Sequence, residues 1–111
     1  ITHADCLAIA EILAKSGMLD FFNVNAGNID TDNRLASAIP GMSGPLAPQL
    51  EVAAAYKQFG IPVMHACRIN DLSTARRALR EDMLDLVGMT RAHIADPHIV
   101  RKLREGQEER I

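Results

Sequence analysis

The sequence predicts an α/β fold, three parallel strands with covering helices, on the strength of three observations. Short apolar runs at Leu19–Val24, Ile61–His65 and Leu84–Gly88 alternate with stretches of helix formers. Strands that are apolar throughout and separated by amphipathic helices belong in a parallel sheet covered by helices. Met18-Leu19-Asp20-Phe21 and Met83-Leu84-Asp85-Leu86 also echo each other where a helix runs into a strand, which favours repeated βα units.

The elements follow in order. Thr2 is placed to cap a first helix, with Asp5 in its first turn complementing both cap and dipole. Leu7, Ala8, Ile9, Ile12 and Leu13 give that helix a broad apolar face, and Gly17 ends it. A short, largely buried strand over Leu19–Val24 comes next. Residues 25–47 are rich in Asn, Asp, Gly and Pro, and read as one long loop. Its Ile29, Leu35, Ile39, Met42 and Leu46 predict that it packs down as a lid or wall rather than hanging free. Asn23 and Asn25, on one side of the first strand, are candidates to contact substrate or to hold this loop.

A helix then runs from Pro48 to Phe59 and stops at Gly60. The second strand is Ile61–His65, with Pro62 tolerable near its start. Asn70 or Asp71 caps the next helix, through Ala75, Ala78 and Leu79. The third strand is Leu84–Gly88. Asp96-Pro97 is a strong helix start, an N-cap followed by proline, for a helix carrying Ile99, Val100 and Leu103.

Composition bounds the function. The chain has 111 residues, 48% of them hydrophobic, and a net charge of −2. It carries no general positive field to recruit nucleic acid or an anionic membrane. The cluster Arg76, Arg77, Arg80 reads as a solvated helix face. Cys6 and Cys67 make neither a disulfide framework nor a zinc signature, and the histidines lack metal-ligand spacing, so no metal site is expected. Cys67 reads as a small packed residue. With no signal peptide and no apolar run near the ~18 residues of a membrane span, the expected location is cytoplasmic. The chain starts at Ile1 and reads as a piece of a longer protein.

Three parallel strands fit either a doubly wound sheet or part of a barrel, and pattern alone leaves both open. In either, ligands bind beyond the C-terminal strand ends, here Val24–Gly27, His65–Arg68 and Gly88–Arg91. The last two end in arginine, a residue suited to a charge-assisted fork on phosphate. Gly88 permits close backbone approach, and Thr90 offers an amide and a hydroxyl. A purely structural salt bridge is the competing reading for both arginines. His65, at the mouth formed by the strand ends, is either a ligand contact or a satisfied core histidine.

At these residues the sequence resembles a family. Asp85-Leu86-Val87-Gly88-Met89-Thr90-Arg91-Ala92-His93-Ile94-Ala95-Asp96-Pro97 is similar to the last barrel strand of Old Yellow Enzyme-like NADH:flavin oxidoreductases. Arg68-Ile69-Asn70-Asp71 resembles the family's segment after the seventh strand, at the family's separation. Gly27–Asp32 and Ile39–Met42 resemble the trimethylamine dehydrogenase and 2,4-dienoyl-CoA reductase branch, especially N-methylproline demethylase-like proteins. The resemblance spans essentially the whole chain. It implies a fragment of a (β/α)8 TIM barrel, strands six to eight, with residues 1–111 forming an incomplete C-terminal part of the flavin-binding domain.

It further implies that Ala66, Cys67, Arg68, Thr90 and Arg91 line the phosphate of FMN. Cys67 and Thr90 depart from the glycines many members carry, and the absence of Trp means either that this segment has little share in an aromatic amine cage or that the pocket differs. A parent would take a small-molecule substrate, oxidising N-methylated amines with loss of formaldehyde or reducing activated alkenes. Its catalytic residues are expected outside this segment, so the 111 residues alone are expected to be inactive. A 4Fe-4S cluster in a parent would use cysteines beyond this chain. Exposed sheet edges predict a homo-oligomer or other association. The reading from another class is a non-catalytic α/β module binding a phosphorylated ligand or a protein partner.

Overall fold

A computed structural model describes residues 1–111. Its centre is a three-stranded sheet, β1 (Phe22–Val24), β2 (Val63–His65) and β3 (Leu86–Val87), all parallel and in sequence order. Around it lie α1 (His3–Lys15), α2 (Asp32–Ala38), α3 (Leu50–Ala54), α4 (Leu72–Arg80), α5 (Thr90–Ala95) and α6 (Ile99–Arg104). A 3-10 turn, Ala55–Phe59, prolongs α3, and another at Glu108–Arg110 closes the chain.

Local chemistry explains the helix starts. Thr2 and Asp5 form a reciprocal capping box on α1. The Thr2 amide, then its hydroxyl, holds the Asp5 carboxyl below its usual range. Asp71, rather than Asn70, caps α4 through the Thr74 amide at 2.7 Å. Gly60 ends the α3 segment with φ +71°, a left-handed conformation that costs glycine little.

The strands are shorter than expected, and the reason lies in pairing. Phe22, Asn23 and Val24 pair with Val63, Met64 and His65, while only Leu86 and Val87 find partners beyond. Leu19–Phe21 and Leu84–Asp85 flank these ladders without extending them. The first strand is also less buried than expected: Val24 is buried, but Phe21 and Asn23 are exposed.

One face of the sheet is dry. Val24, Val63, Ile69, Leu84, Leu50, Ala53, Ala75 and Ala78 form most of the core cluster between sheet and helices. Phe22, Tyr56 and Phe59 stack edge to face beside it, centroids 5.8–6.3 Å apart. The other face carries the in-register row Asn23, Met64, Leu86, with Leu86 47% exposed. The predicted apolar face of α1 is bare as well: Ile12 is 70% exposed, and Ala10 is the one fully buried residue of the helix. Only 15 of 111 residues are buried, too thin a core for a closed domain. The radius of gyration, 15.2 Å, exceeds the ~13 Å of a compact domain this size. These features leave the second face of the sheet and the outer side of α1 uncovered.

At the N-terminal end of the sheet, Asp85 ties the layers together. Its carboxylate accepts the Val63 N–H at 2.7 Å and the Lys57 ammonium at 2.6 Å, and Lys57 also reaches Asp82. Lys57, then the Val63 amide, holds the Asp85 carboxyl below the usual carboxylate range. The same partners, Asp85 first and Asp82 second, push the Lys57 ammonium up.

Two differences concern the loops. Residues 25–47 are not loop throughout: α2 forms within them, capped by the Thr31 hydroxyl on the Arg34 amide. The stretch after β3 folds at once into α5, and the Asp96 side chain caps a turn through His98 before α6 begins.

Candidate functional site

A pocket of about 270 Å³ opens at the C-terminal ends of β2 and β3. Ala66, Cys67, Arg68, Thr90 and Arg91, the five residues singled out in sequence, all line it. The long segment after β1 supplies the facing wall through Ala38, Ile39 and Pro40, with Asn25 and Asn70 at the edges.

Close approach of the two strand ends makes the floor. A Cβ on Gly88 would lie 2.5 Å from the Cβ of Ala66, so only glycine fits there. The Gly88 amide donates to the His65 carbonyl at 2.9 Å, locking the two loops side by side. Arg68 occupies the left-handed region, φ +51°. That conformation is uncommon without glycine and marks a site where local geometry is imposed by its surroundings.

Both arginines are free of carboxylate partners. Arg91 donates to the Pro40 carbonyl at 3.1 Å and Arg68 to the Met42 carbonyl at 2.8 Å. Neither takes part in a salt bridge, so the structural ion-pair reading fails for both. Each guanidinium has five N–H donors and uses one here. No Asp or Glu lines the pocket. The Thr90 hydroxyl and the Asn25 and Asn70 side-chain amides make no hydrogen bond within the chain. A larger hollow of about 700 Å³ beneath the C-terminal turn is different: its Arg76 and Lys102 are neutralised by Glu108 and Asp96. At the strand ends, by contrast, neither Arg68 nor Arg91 meets a carboxylate.

The pocket therefore fits a phosphate group by its own chemistry: two forked cations, a free hydroxyl, no competing carboxylate and a floor pared to glycine. Cys67 is buried, 4% exposed, and its burial pushes the thiol up while Arg91 pulls it partly back. A thiol held protonated is packing, not a nucleophile.

His65 is not at a mouth. It shares the helix-facing side of β2 with Val63 and is fully buried, and its Nδ1 donates to the Val24 carbonyl at 2.8 Å. The carbonyl only accepts, which places the proton on Nδ1; Nε2 has no partner in the chain. Asn25 does reach the pocket, but the long segment is held by another residue, Gln49. Its side chain grips the Ala26 amide and carbonyl and the Ser37 carbonyl. Nothing in the local sequence marks Gln49, since its partners lie 23 and 12 residues away.

No protein-family model matches the chain. Over 105 residues it is 51% identical to a multifunctional alkene reductase/demethylase of Caballeronia cordobensis, covering 93% of this chain. It is 43% identical over 109 residues to a probable N-methylproline demethylase of Rhizobium meliloti, covering 97% of this chain. Its fold matches that of 2-naphthoyl-CoA reductase, solved with 2-naphthoyl-CoA, with a TM-score of 0.83 and 26% identity over 98% of this chain. In each case the chain spans 16% of the length of the protein it resembles.

Proposed function

Because this chain is homologous along its length to a segment of the Old Yellow Enzyme-like oxidoreductases, we propose that it supplies the phosphate end of an FMN site in a flavin-dependent barrel enzyme. The observation that carries the reading is the pairing of Arg68 and Arg91, free of carboxylates, over the glycine floor at Gly88. In this reading residues 1–111 are the C-terminal part of the flavin-binding domain.

Bound FMN would supply hydride transfer, which no side chain here can perform. The chain's own work is binding and orientation. Arg68 and Arg91 neutralise the phosphate, Thr90 adds a donor, Ala66 and Cys67 keep the wall small, and Gly88 lets the two loops close around the anion. The Pro40 and Met42 carbonyls aim the guanidinium groups. The parent would take a small-molecule substrate. Demethylation of an N-methylated amine and reduction of an activated alkene both stand, since relatives are named for one or both activities. No helix is long and apolar enough to cross a membrane, and we place the parent in the cytoplasm. A 4Fe-4S cluster, where a parent has one, would be ligated outside this chain.

The test is flavin retention. A parent carrying the intact segment should purify with an absorbance band near roughly 450 nm, and Arg91→Ala should weaken FMN binding at least about tenfold, ~1.4 kcal/mol. Unchanged flavin content removes Arg91 from the site, and a colourless wild-type parent ends the reading. The 111 residues alone should show neither demethylase nor alkene reductase turnover.

A further inference from the structure

The wall of the pocket is held by a residue that does not itself line it. Gln49 occupies the N-cap position of α3, yet makes no capping bond. Ser, Thr, Asp or Asn would serve that position better. Its carboxamide turns instead to the segment after β1. Oε1 accepts the Ala26 N–H at 3.1 Å, and Nε2 donates to the Ala26 carbonyl at 2.9 Å and to the Ser37 carbonyl at 2.8 Å.

Those partners bracket the wall. Ala26 follows the end of β1, and Ser37 lies in the last turn of α2, immediately before Ala38, Ile39 and Pro40. Pro40 carries the carbonyl that receives Arg91. A shift at Ser37 is passed over three residues to the acceptor that aims a phosphate-binding guanidinium. α2 has seven residues and buries none of them, so packing alone does little to hold it. Gly27 leaves the chain close against Ala38, where a Cβ would meet the Ala38 Cβ at 3.1 Å.

We infer that Gln49 is a positioning residue for the anion pocket, fixing the Ala38–Pro40 wall and through it the aim of Arg91. The inference rests on the phosphate-site reading. Gln49→Met keeps the length and removes all three bonds. Gln49→Glu keeps the acceptor for Ala26 but sets a carboxylate oxygen against two carbonyls.

The experiment uses a parent protein carrying this segment, freed of bound flavin and titrated with FMN and with riboflavin, which lacks the phosphate, following flavin fluorescence. Amide hydrogen exchange is measured on the same proteins, and far-UV circular dichroism checks that the variants fold. Wild type should prefer FMN over riboflavin, and both variants should cut that preference about five- to tenfold, ~1–1.4 kcal/mol. Ala26 should exchange faster in Gln49→Met, which loses its acceptor, and Ile39 faster in both variants, with β2 and α4 unchanged. A wild type that prefers FMN and a Gln49→Met protein that prefers it equally overturn the inference. If wild type shows no preference, the phosphate reading fails instead; unchanged exchange at Ala26 and Ile39 would then remove Gln49's bracing role too.

Discussion

Gly88 and Ala66 stand so close that a methyl group on the first would lie 2.5 Å from the Cβ of the second. The contact joins the ends of β2 and β3 beneath the pocket. Gly88→Ala must push the loops apart, and overpacking of this kind costs about 1–3 kcal/mol. We expect a lower urea midpoint with an unchanged slope, together with weakened FMN binding. Wild-type values on both measurements would show that the loops have room to spare.

Arg91→Lys should resemble Arg91→Ala more than wild type. Lysine keeps the charge but lacks the planar fork that can hold the Pro40 carbonyl and a phosphate oxygen at once. FMN affinity of the two variants, compared across salt concentrations, checks this. Full retention by lysine would mean that only charge matters there.

Asp85 should make the chain acid-sensitive. Its folded carboxyl is held below the ordinary 3.8, so its contribution is present above the unfolded value and is lost as pH falls through the folded one. Asp85→Asn should flatten the loss of stability below about pH 4. The Asp85 side chain is 36% exposed, so solvent screening keeps the effect modest. Urea midpoints at a series of pH values decide it; parallel wild-type and variant curves would count against the ion pair.

Cys67 should resist alkylation in the native state. It is buried and its thiol is pushed up, whereas Cys6 is half-buried on α1. Iodoacetamide at neutral pH should label Cys6 first and reach Cys67 only on unfolding, as mass spectrometry of the peptides would show. Prompt labelling of Cys67 would make it the accessible, reactive thiol that its environment argues against.

What sequence could show follows the range of the forces. Thr2 with Asp5, Asp71 and Gly60 act within four residues, and each end they mark is where local chemistry puts it. The strand ends His65–Arg68 and Gly88–Arg91 were legible because a parallel sheet offers its binding end there, while the choice of Ala66, Cys67, Arg68, Thr90 and Arg91 within them came from the family resemblance. α2 was hidden by Asn28, Asp30, Asp32 and Asn33, turn formers whose weight in the sequence outdid one Thr31 cap. The exposure of Ile9, Ile12 and Leu13 could not be read from a pattern that specifies an apolar face but not what covers it. His65 stayed open between a mouth contact and a core histidine because its side of the strand depends on register, and a one-residue difference exchanges lumen for core; the structure puts it in the core.

The bare row Asn23, Met64, Leu86 and the two open strand edges make concentration a variable of this chain's behaviour. Dilute, those edges are met by water; crowded, the nearest complementary surface is another copy's unpaired backbone. Elution volume and dye binding should therefore drift together on dilution, and a second polypeptide carrying the remaining strands should arrest the drift. The chain is suited to split-protein reassembly, in which the strands it lacks arrive on a separate polypeptide.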